Sequence, residues 1–333
     1  MLKDVLTHPI RDELQKMEAV IANSLGDERY PHISEMNSYL IKAPGKRVRP
    51  TLLLFCFKAL LDGEKVSSID GVTRQAAMLA AAIELIHMAS LVHDDIIDHA
   101  DTRHERPAFH RKFGTEIGMT MGVYLYAKSL SLIADVRHPE VLKVISTAVE
   151  DLCRGEITQL THRDTPSFDL DDYVRILKEK TGVLFATACQ CGAILAGASP
   201  SIQNALYQYG ESLGIVFQIA DDFMDLMGDE ETLGKKPGQD FVEGEITLPL
   251  LYLIDGLYSD DKDDVISKVI SKNPDHLFEL RDRILQSDAP RQSRMLADEY
   301  LNRARLSLKD LPQTKFKKSL YSFVDFVEKR AFG

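Results

Sequence analysis

The sequence predicts an all-α fold, a single large helical bundle. Apolar residues recur at intervals of three and four, which places them on one face of a helix. The strict alternation that marks a half-buried strand is scarce. The segments with helical spacing are 9–24, 50–62, 71–98, 117–135, 139–161, 169–197, 201–227 and 246–256.

Start and stop signals support these boundaries. Ser167 and Asp169 precede the sixth segment, Gly197 and Pro200 break the chain after it, and Ser201 can cap the next helix. The acidic run 260–264 is predicted to be a solvated turn. The chain ends in one more amphipathic helix, whose apolar face carries Leu320, Phe323, Val324 and Val327.

The composition indicates one large globular domain over residues 1–333. The chain is 44% hydrophobic, and no Pro-, Ser- or Gly-rich linker divides it. A net charge of −11 argues against a nucleic-acid partner, because binding to the phosphate backbone needs a basic face. The four cysteines lie in apolar helical stretches without the spacing of a zinc site, so we expect buried thiols in a reducing compartment.

The sequence predicts a cytoplasmic protein without a membrane span. The first residues carry charge early and lack the apolar core of a signal peptide. The longest apolar runs, near 52–57 and 76–83, fall well short of the roughly 20 residues that span a bilayer.

Two acidic clusters of the form Asp-Asp-x-x-Asp are the strongest functional signal. The first is Asp94, Asp95 and Asp98, and the second is Asp221, Asp222 and Asp225. In each cluster the first and last Asp are four residues apart, so they point the same way on a helix, and two such helical turns can face one another. Buried carboxylates repel unless a divalent cation lies between them, and Mg²⁺ prefers oxygen ligands together with substrate phosphate. We therefore expect Mg²⁺ and a diphosphate substrate, whereas a solvated acidic face is the alternative for either cluster alone.

A basic box precedes the first acidic cluster, and further short motifs follow along the chain. The segments are 44–50 (PGKRVRP), 94–107 with Arg103, 155–159 (GEITQ), 180–181 (KT), 217–225 (FQIADDFMD), 234–235 (GK) and 247–249 (TLP). In content and order they resemble the motifs of the trans-type (all-E) isoprenyl diphosphate synthases, closest in pattern to the synthases of long chains. The resemblance covers nearly the whole chain and implies a helical bundle with a central cavity.

The resemblance implies a prenyltransferase that condenses an allylic diphosphate with isopentenyl diphosphate. It implies metal ligation by the two acidic clusters, with Asp94, Asp98 and Asp221 the firmest ligands, and contacts from Arg103, Lys180 and Lys235 to the allylic diphosphate. It assigns Lys46, Arg49 and His87 to isopentenyl diphosphate, with Arg47 and His104 beside them, and Thr181 and Gln218 to the region of the carbocation. Glu156 and Gln159 are either part of the site or a pair that packs two helices.

Product length is predicted from the residues one turn before the first acidic cluster. In the family a bulky aromatic side chain there stops chain growth early, whereas this chain has Ala89 and Ser90. We therefore expect a product beyond C20, although a second barrier near Leu85, Ile86 or Val123 could still limit it.

Three departures from the family pattern leave alternatives open. His104 and Glu105 stand where an arginine and a glycine are usual, Glu245 stands where a lysine is common, and Val123 replaces an aspartate. The changes at 104 and 245 remove positive charge, with Arg106 a possible compensation. One alternative is a terpene synthase that ionises an allylic diphosphate without condensation, and another is one subunit of a heteromeric synthase. The family implies a homodimer, and some long-chain members also need a small second subunit.

Overall fold

The computed structural model describes residues 7–26, 29–42, 45–61, 69–163, 169–228 and 237–332. Within these ranges the chain is almost entirely helical, which confirms the predicted fold class. Two compact units form, the first from Met1–Val149, Leu184–Tyr207 and Leu308–Ser322, and the second from Glu150–Val183, Gln208–Ser307 and Phe323–Gly333. The single domain over 1–333 stays a prediction.

The described residues of the first half of the chain form six α-helices and one small hairpin. A short 3₁₀ turn at His8–Ile10 comes before the first α-helix. The elements are α1 (Arg11–Leu25), α2 (Pro31–Ile41), α3 (Val48–Leu60), α4 (Ile69–Ile97), β1 (Thr102–Arg103), β2 (Arg106–Pro107), α5 (Phe109–Phe113) and α6 (Thr115–Val136). The hairpin was not predicted, because two residues per strand are too few to alternate visibly.

In the second half of the chain every described secondary-structure element is a helix. The elements are α7 (Pro139–His162), α8 (Leu170–Leu177), a π-helical turn at Lys178–Gly182, α9 (Val183–Leu195), α10 (Pro200–Met227), α11 (Gln239–Glu243), α12 (Leu248–Asp255), α13 (Ser259–Ser271), α14 (Asp275–Gln286), α15 (Ala289–Ser307) and α16 (Lys315–Phe332).

Helix α4 forms the centre of the first unit and packs against α1, α3 and α6. Its alanine-rich middle is buried on all sides, because helices that are apolar all round belong to the interior. Gly192 of α9 lies against α3, where a Cβ atom would come within 2.4 Å of the Leu53 carbonyl oxygen. Only glycine permits so close an approach of two helices.

The core of the second unit surrounds the C-terminal end of α10. Its buried residues are Leu226, Phe241, Leu250, Leu253, Ile254, Val265, Val269, Leu280, Ile284 and Ala289. They come from α10 to α15, so the short helices after 237 pack together and fix the end of α10. That end carries the second acidic cluster.

Two predictions about helix ends were wrong, and a third was confirmed for the one of its two residues that the structure describes. Residues 260–264 belong to α13 rather than to a turn, because acidic residues suit the positive N-terminal end of a helix. The helix after Gly197 begins at Pro200, so Ser199 and not Ser201 is its N-cap. Ser167 lies outside the described residues, whereas Asp169 caps α8 by accepting a hydrogen bond from the Asp172 backbone N–H.

The thiols follow the prediction in part. Cys56, Cys189 and Cys191 are buried, and burial raises the pKa of both Cys189 and Cys191. Cys153 is exposed instead, because it lies on the outer face of α7.

Two described helices, Gly71–Ile97 and Thr115–Val136, are long and apolar enough to cross a bilayer by length and composition alone. The first is 72% buried inside the protein over its most apolar window, as the core helix of a globular protein is. The second is only 33% buried and exposes Met119, Val123 and Leu130.

Candidate active site

The first acidic cluster lies at the C-terminal end of α4. Asp94 and Asp98 are half-buried, and the Asp98 N–H donates to the Asp94 carbonyl at 2.8 Å, so both carboxylates follow the helical spacing. The C-terminal end of a helix is electrostatically negative, so carboxylates there are unfavourable without a nearby cation. The location itself therefore favours cation binding.

The Asp95 side chain is buried in the protein, whereas Asp94 and Asp98 are half-buried. It is 3% exposed, and its carboxylate accepts hydrogen bonds from the guanidinium of Arg103, with Nε at 2.8 Å. The contact holds Arg103, on β1, beside the acidic cluster. Asp95 therefore positions an arginine in addition to any role as a metal ligand.

The β1–β2 hairpin turns at His104 and Glu105. Both residues have positive φ values, 52° and 60°, as a two-residue type I′ turn requires. Because that backbone conformation suits glycine or asparagine, the turn is strained at Glu105. The hairpin register pairs Arg103 directly with Arg106.

A pocket in the first unit joins several predicted substrate-binding residues. It encloses about 640 Å³ of empty space, including solvent at its mouth, and His87, Asp95, Arg103 and His104 line it. Burial, and then Arg49, lower the pKa of His87 well below its usual value, so this imidazole is neutral at pH 7. Burial also lowers the pKa of His104, followed in size by the effect of Arg103.

The three basic residues of the predicted box have different surroundings. Arg47 is already paired, with Nε 2.7 Å from Glu18 and Nη1 2.8 Å from buried Glu84, although it still lines the pocket. The Arg49 guanidinium lies 4.6 Å from the ring centroid of Phe185, and Lys46 is exposed. No local sequence pattern identifies the glutamates that hold Arg47, because they are 29 and 37 residues away along the chain.

Gly122 of α6 explains the close packing of α4 and α6 next to the acidic cluster. A Cβ atom at this position would lie 2.1 Å from His93 Nε2, and that nitrogen is 3.1 Å from the Met119 carbonyl oxygen. The glycine kept from the family motif therefore has a packing reason. Its neighbour Val123 is 62% exposed, and a second barrier to product length near Val123 stays a prediction.

The two residues predicted to set product length lie on α4. Ala89 is fully buried, whereas Ser90 is half-buried and donates its hydroxyl hydrogen to the His87 carbonyl at 2.9 Å. Leu85 and Ile86, one turn earlier, are buried.

The second acidic cluster lies on the last two turns of α10, in the second unit. Asp221 is half-buried, whereas Asp222 and Asp225 are 6% and 4% exposed. Asp222 accepts hydrogen bonds from the Tyr173 hydroxyl at 2.7 Å and from Gln218 Nε2 at 2.9 Å. Burial raises the pKa of Asp222 to about 7, although both hydrogen bonds act in the opposite direction.

Asp225 and Asp221 contact two later segments of the second unit. Asp225 Oδ2 accepts a hydrogen bond from the Asp240 backbone N–H at 3.1 Å, so it anchors the start of α11. Asp221 forms an ion pair with Arg330 on α16, and the Arg330 guanidinium lies 4.4 Å from the ring centroid of Phe217. Tyr173 and Arg330 were missed by sequence reasoning, since each belongs to an ordinary amphipathic helix.

Lys180 lies in the π-helical turn between α8 and α9. Its Nζ is 2.8 Å from Glu156 on α7, and a Cβ atom at Gly155 would lie 2.8 Å from the Lys180 backbone nitrogen. The glycine lets α7 approach the turn, and Glu156 holds the lysine. Next to it, the Thr181 hydroxyl donates to Gln218 Oε1 at 3.1 Å, so those two predicted residues come together.

Glu245 forms an ion pair with an arginine of the same unit. Arg163, which follows α7, donates to Glu245 Oε1 at 2.9 Å and lies 3.7 Å from Glu243. The acidic substitution at 245 is therefore matched by a basic residue in the same unit. Lys235, the last predicted substrate-binding residue, lies outside the described residues.

The comparisons with known proteins agree with the sequence motifs. The family model described as polyprenyl synthetase matches residues 30–284. A relative named heptaprenyl diphosphate synthase component 2, from Geobacillus stearothermophilus, is 35% identical over 328 residues and covers 97% of each chain.

Two solved structures are similar over nearly their whole length. A decaprenyl diphosphate synthase from Rhodobacter capsulatus has a TM-score of 0.91 at 28% identity, and 99% of each chain is covered. A polyprenyl synthase from Caulobacter crescentus, complexed with calcium and isoprenyl diphosphate, has a TM-score of 0.88 at 29% identity, and 98% of each chain is covered.

Proposed function

The chain belongs to the polyprenyl synthetase family, and on that premise we propose that it condenses an allylic diphosphate with isopentenyl diphosphate. The enzyme is a prenyltransferase, and its product is a long-chain all-trans polyprenyl diphosphate. Relatives named for heptaprenyl and decaprenyl products support a chain beyond C20. The observation that carries the proposal is the pair of acidic clusters, each at the C-terminal end of a long core helix.

The carboxylates fit Mg²⁺ by their chemistry. All six donors are oxygen atoms, and Asp94, Asp98 and Asp221 are half-buried and so accessible to a ligand. We assign these three as the principal ligands, with Asp225 next, while Asp95 and Asp222 also hold neighbouring side chains. Bound Mg²⁺ neutralises the charge that develops on the departing diphosphate.

The chain's own cations complete the stabilisation of the leaving group. Arg103, Lys180 and Lys235 bind the allylic diphosphate, and fixed positive charges are most effective where negative charge develops in the transition state. The ion pairs of Arg103 with Asp95 and of Lys180 with Glu156 keep both side chains in place without reorganisation. Glu156 is therefore a positioning residue, which favours a role in the site over simple helix packing.

The first-unit pocket binds isopentenyl diphosphate. Of the residues assigned to that substrate, His87, Arg47 and His104 line the pocket. Lys46 and Arg49 belong to the same basic box but are not among the lining residues. Neutral His87 donates or accepts a hydrogen bond without adding charge. Thr181 and Gln218 border the region of the carbocation, where their polar atoms orient one another.

The open positions Ala89 and Ser90 support a long product. Neither side chain is large enough to block a growing isoprenoid, in contrast to an aromatic residue. Buried Leu85 and Ile86 are the next candidates for a limit on its length.

Assembly as a homodimer is supported by the apolar surface of α6. Met119, Val123 and Leu130 on this helix are each between 53% and 62% exposed, and such surface marks interaction sites. The name component 2 carried by one relative favours a small second subunit as a further partner. Sedimentation of the purified chain alone measures its self-association, and sedimentation with a candidate partner measures binding of a second subunit.

We place the enzyme in the cytoplasm.

Mass spectrometry of the products from farnesyl diphosphate in Mg²⁺ buffer tests the proposal. A ladder of five-carbon additions that requires isopentenyl diphosphate is expected. A hydrocarbon formed without isopentenyl diphosphate would make the protein a terpene synthase, which the changes at His104 and Glu245 make the second candidate. No product with this chain alone, and a ladder once a partner is added, would make it one subunit of a heteromeric synthase.

A further inference from the structure

The charges that line the first-unit pocket are largely paired within the protein. Arg47 is balanced by Glu18 and Glu84, and Arg103 is balanced by Asp95. Arg106 lines the same pocket, and among the described residues no carboxylate pairs with it. The pocket therefore holds a positive charge that a bound anion could neutralise.

The partners of Arg106 are neutral groups of one tyrosine. Its guanidinium lies 3.9 Å from the ring centroid of Tyr39, and Nη1 donates to the Tyr39 carbonyl at 3.3 Å. The Tyr39 hydroxyl in turn donates to the Pro107 carbonyl at 2.7 Å. These contacts fix the direction of the arginine and leave its charge uncompensated, as a preorganised anion-binding group requires.

The hairpin register brings a second arginine to the same face. Arg103 and Arg106 are directly opposite each other on β1 and β2, and side chains of such a pair lie on one face of the hairpin. Like charges in these positions are destabilising, and Asp95 offsets only the charge of Arg103. The strained turn at His104 and Glu105 maintains this pairing.

We propose that Arg106, positioned by Tyr39, binds the diphosphate of isopentenyl diphosphate in the first-unit pocket. The inference rests on the proposed function for the identity of the substrate. Arg106 is a substrate-binding residue, and Tyr39 acts through it. Burial lowers the pKa of His104, and Arg103 is paired with Asp95. Arg106 is therefore the hairpin cation that no described carboxylate neutralises.

Isothermal titration calorimetry of isopentenyl diphosphate into the full chain, without allylic substrate, measures the contribution of Arg106. We expect Arg106→Gln to raise Kd about tenfold or more, as expected for the loss of a charge-assisted hydrogen bond. Arg111→Gln is the matched control, because Arg111 is exposed on the neighbouring helix and pairs with Asp101. That control should change Kd less than twofold.

A second substitution separates charge from folding. His104→Arg in the Arg106→Gln background returns an arginine to the hairpin, so Kd should recover at least threefold if charge in the pocket is what was lost. A merely structural role of Arg106 would give no recovery, and that result would overturn the inference.

Chemical protection tests the same point on the unaltered chain. Phenylglyoxal should modify Arg106 more slowly when isopentenyl diphosphate is present, whereas Arg111 should react equally in both conditions. Two results would overturn this inference alone, provided that the wild-type enzyme elongates farnesyl diphosphate. They are equal modification of Arg106 with and without isopentenyl diphosphate, and an unchanged Kd for the Arg106→Gln variant. A wild-type chain that binds no isopentenyl diphosphate would overturn the proposed function as well.

Discussion

Arg330 forms an ion pair with Asp221, the first carboxylate of the second acidic cluster. The arginine is on the last helix, 109 residues away along the chain, and it stacks against Phe217 one helical turn before the aspartate. A protein cation therefore already neutralises a proposed metal ligand. Binding of Mg²⁺ to Asp221 has to compete with this contact or share the carboxylate with it.

Arg330→Gln should lower the Mg²⁺ concentration that gives half-maximal activity, by about threefold, because Asp221 then keeps its full negative charge for the metal. Titration of Mg²⁺ in a pyrophosphate-release assay measures the change. Arg291→Gln removes an exposed surface charge paired with Asp288 and should leave the titration unchanged. A higher Mg²⁺ requirement in Arg330→Gln would show that the arginine supports the site instead of competing with the metal.

Tyr173→Phe should destabilise the second unit by about 1–3 kcal/mol, because a buried carboxylate loses a hydrogen-bond donor. The Tyr173 hydroxyl lies 2.7 Å from Asp222 Oδ2, and both residues are buried. Urea denaturation in the absence of Mg²⁺ measures the free energy of unfolding. Tyr252→Phe is the control, since that hydroxyl makes no hydrogen bond to the described residues and its removal should cost less than about 0.5 kcal/mol. Equal stability of the two variants would contradict the role given to Tyr173.

Glu105→Gly should stabilise the protein by about 0.5–1 kcal/mol. The left-handed backbone at Glu105, with φ of 60°, costs an ordinary residue about 1–2 kcal/mol, and the greater flexibility of glycine in the unfolded chain offsets part of the gain. Glu105→Ala keeps the strain and should give no gain. Thermal unfolding of the two variants measures the change in stability. An equal change in melting temperature for both would mean that the turn is not strained.

Ser90→Phe should shorten the product, because an aromatic side chain on the half-buried face of α4 would meet the growing isoprenoid. Chromatography of the dephosphorylated products gives the chain-length distribution. Ser90→Ala is the control for loss of the hydroxyl and should leave that distribution unchanged. Ala89→Phe is a less useful variant, because Ala89 is fully buried and overpacking costs about 1–3 kcal/mol. An unchanged product from Ser90→Phe would place the length limit elsewhere.

The sequence predicted the helical fold and most helix positions because the periodicity of apolar residues is a local signal. It missed the hairpin at 102–107, whose turn uses His104 and Glu105 in place of the residues that normally announce a type I′ turn. It also misread 260–264, because an acidic run suits both a solvated turn and the first turn of a helix.

Sequence motifs identified the main residues of the candidate site, but not the side chains that hold those residues in place. Asp95 and Arg103 are eight residues apart and belong to recognised motifs. The partners Glu18 for Arg47, Tyr173 for Asp222 and Arg330 for Asp221 are 29, 49 and 109 residues distant. Contacts at such separations depend on tertiary packing, which a single sequence does not encode in any local pattern.

We propose that both acidic clusters take part in Mg²⁺-dependent ionisation of an allylic diphosphate. The test is the rate of pyrophosphate release when farnesyl diphosphate reacts with isopentenyl diphosphate. We compare the variants Asp94→Asn and Asp221→Asn with the control Asp101→Asn, which changes an exposed aspartate outside both clusters. We predict that each cluster variant loses at least about a hundredfold in rate while its circular dichroism and the control's rate stay as in the wild type. Near wild-type release by either cluster variant would contradict the claim.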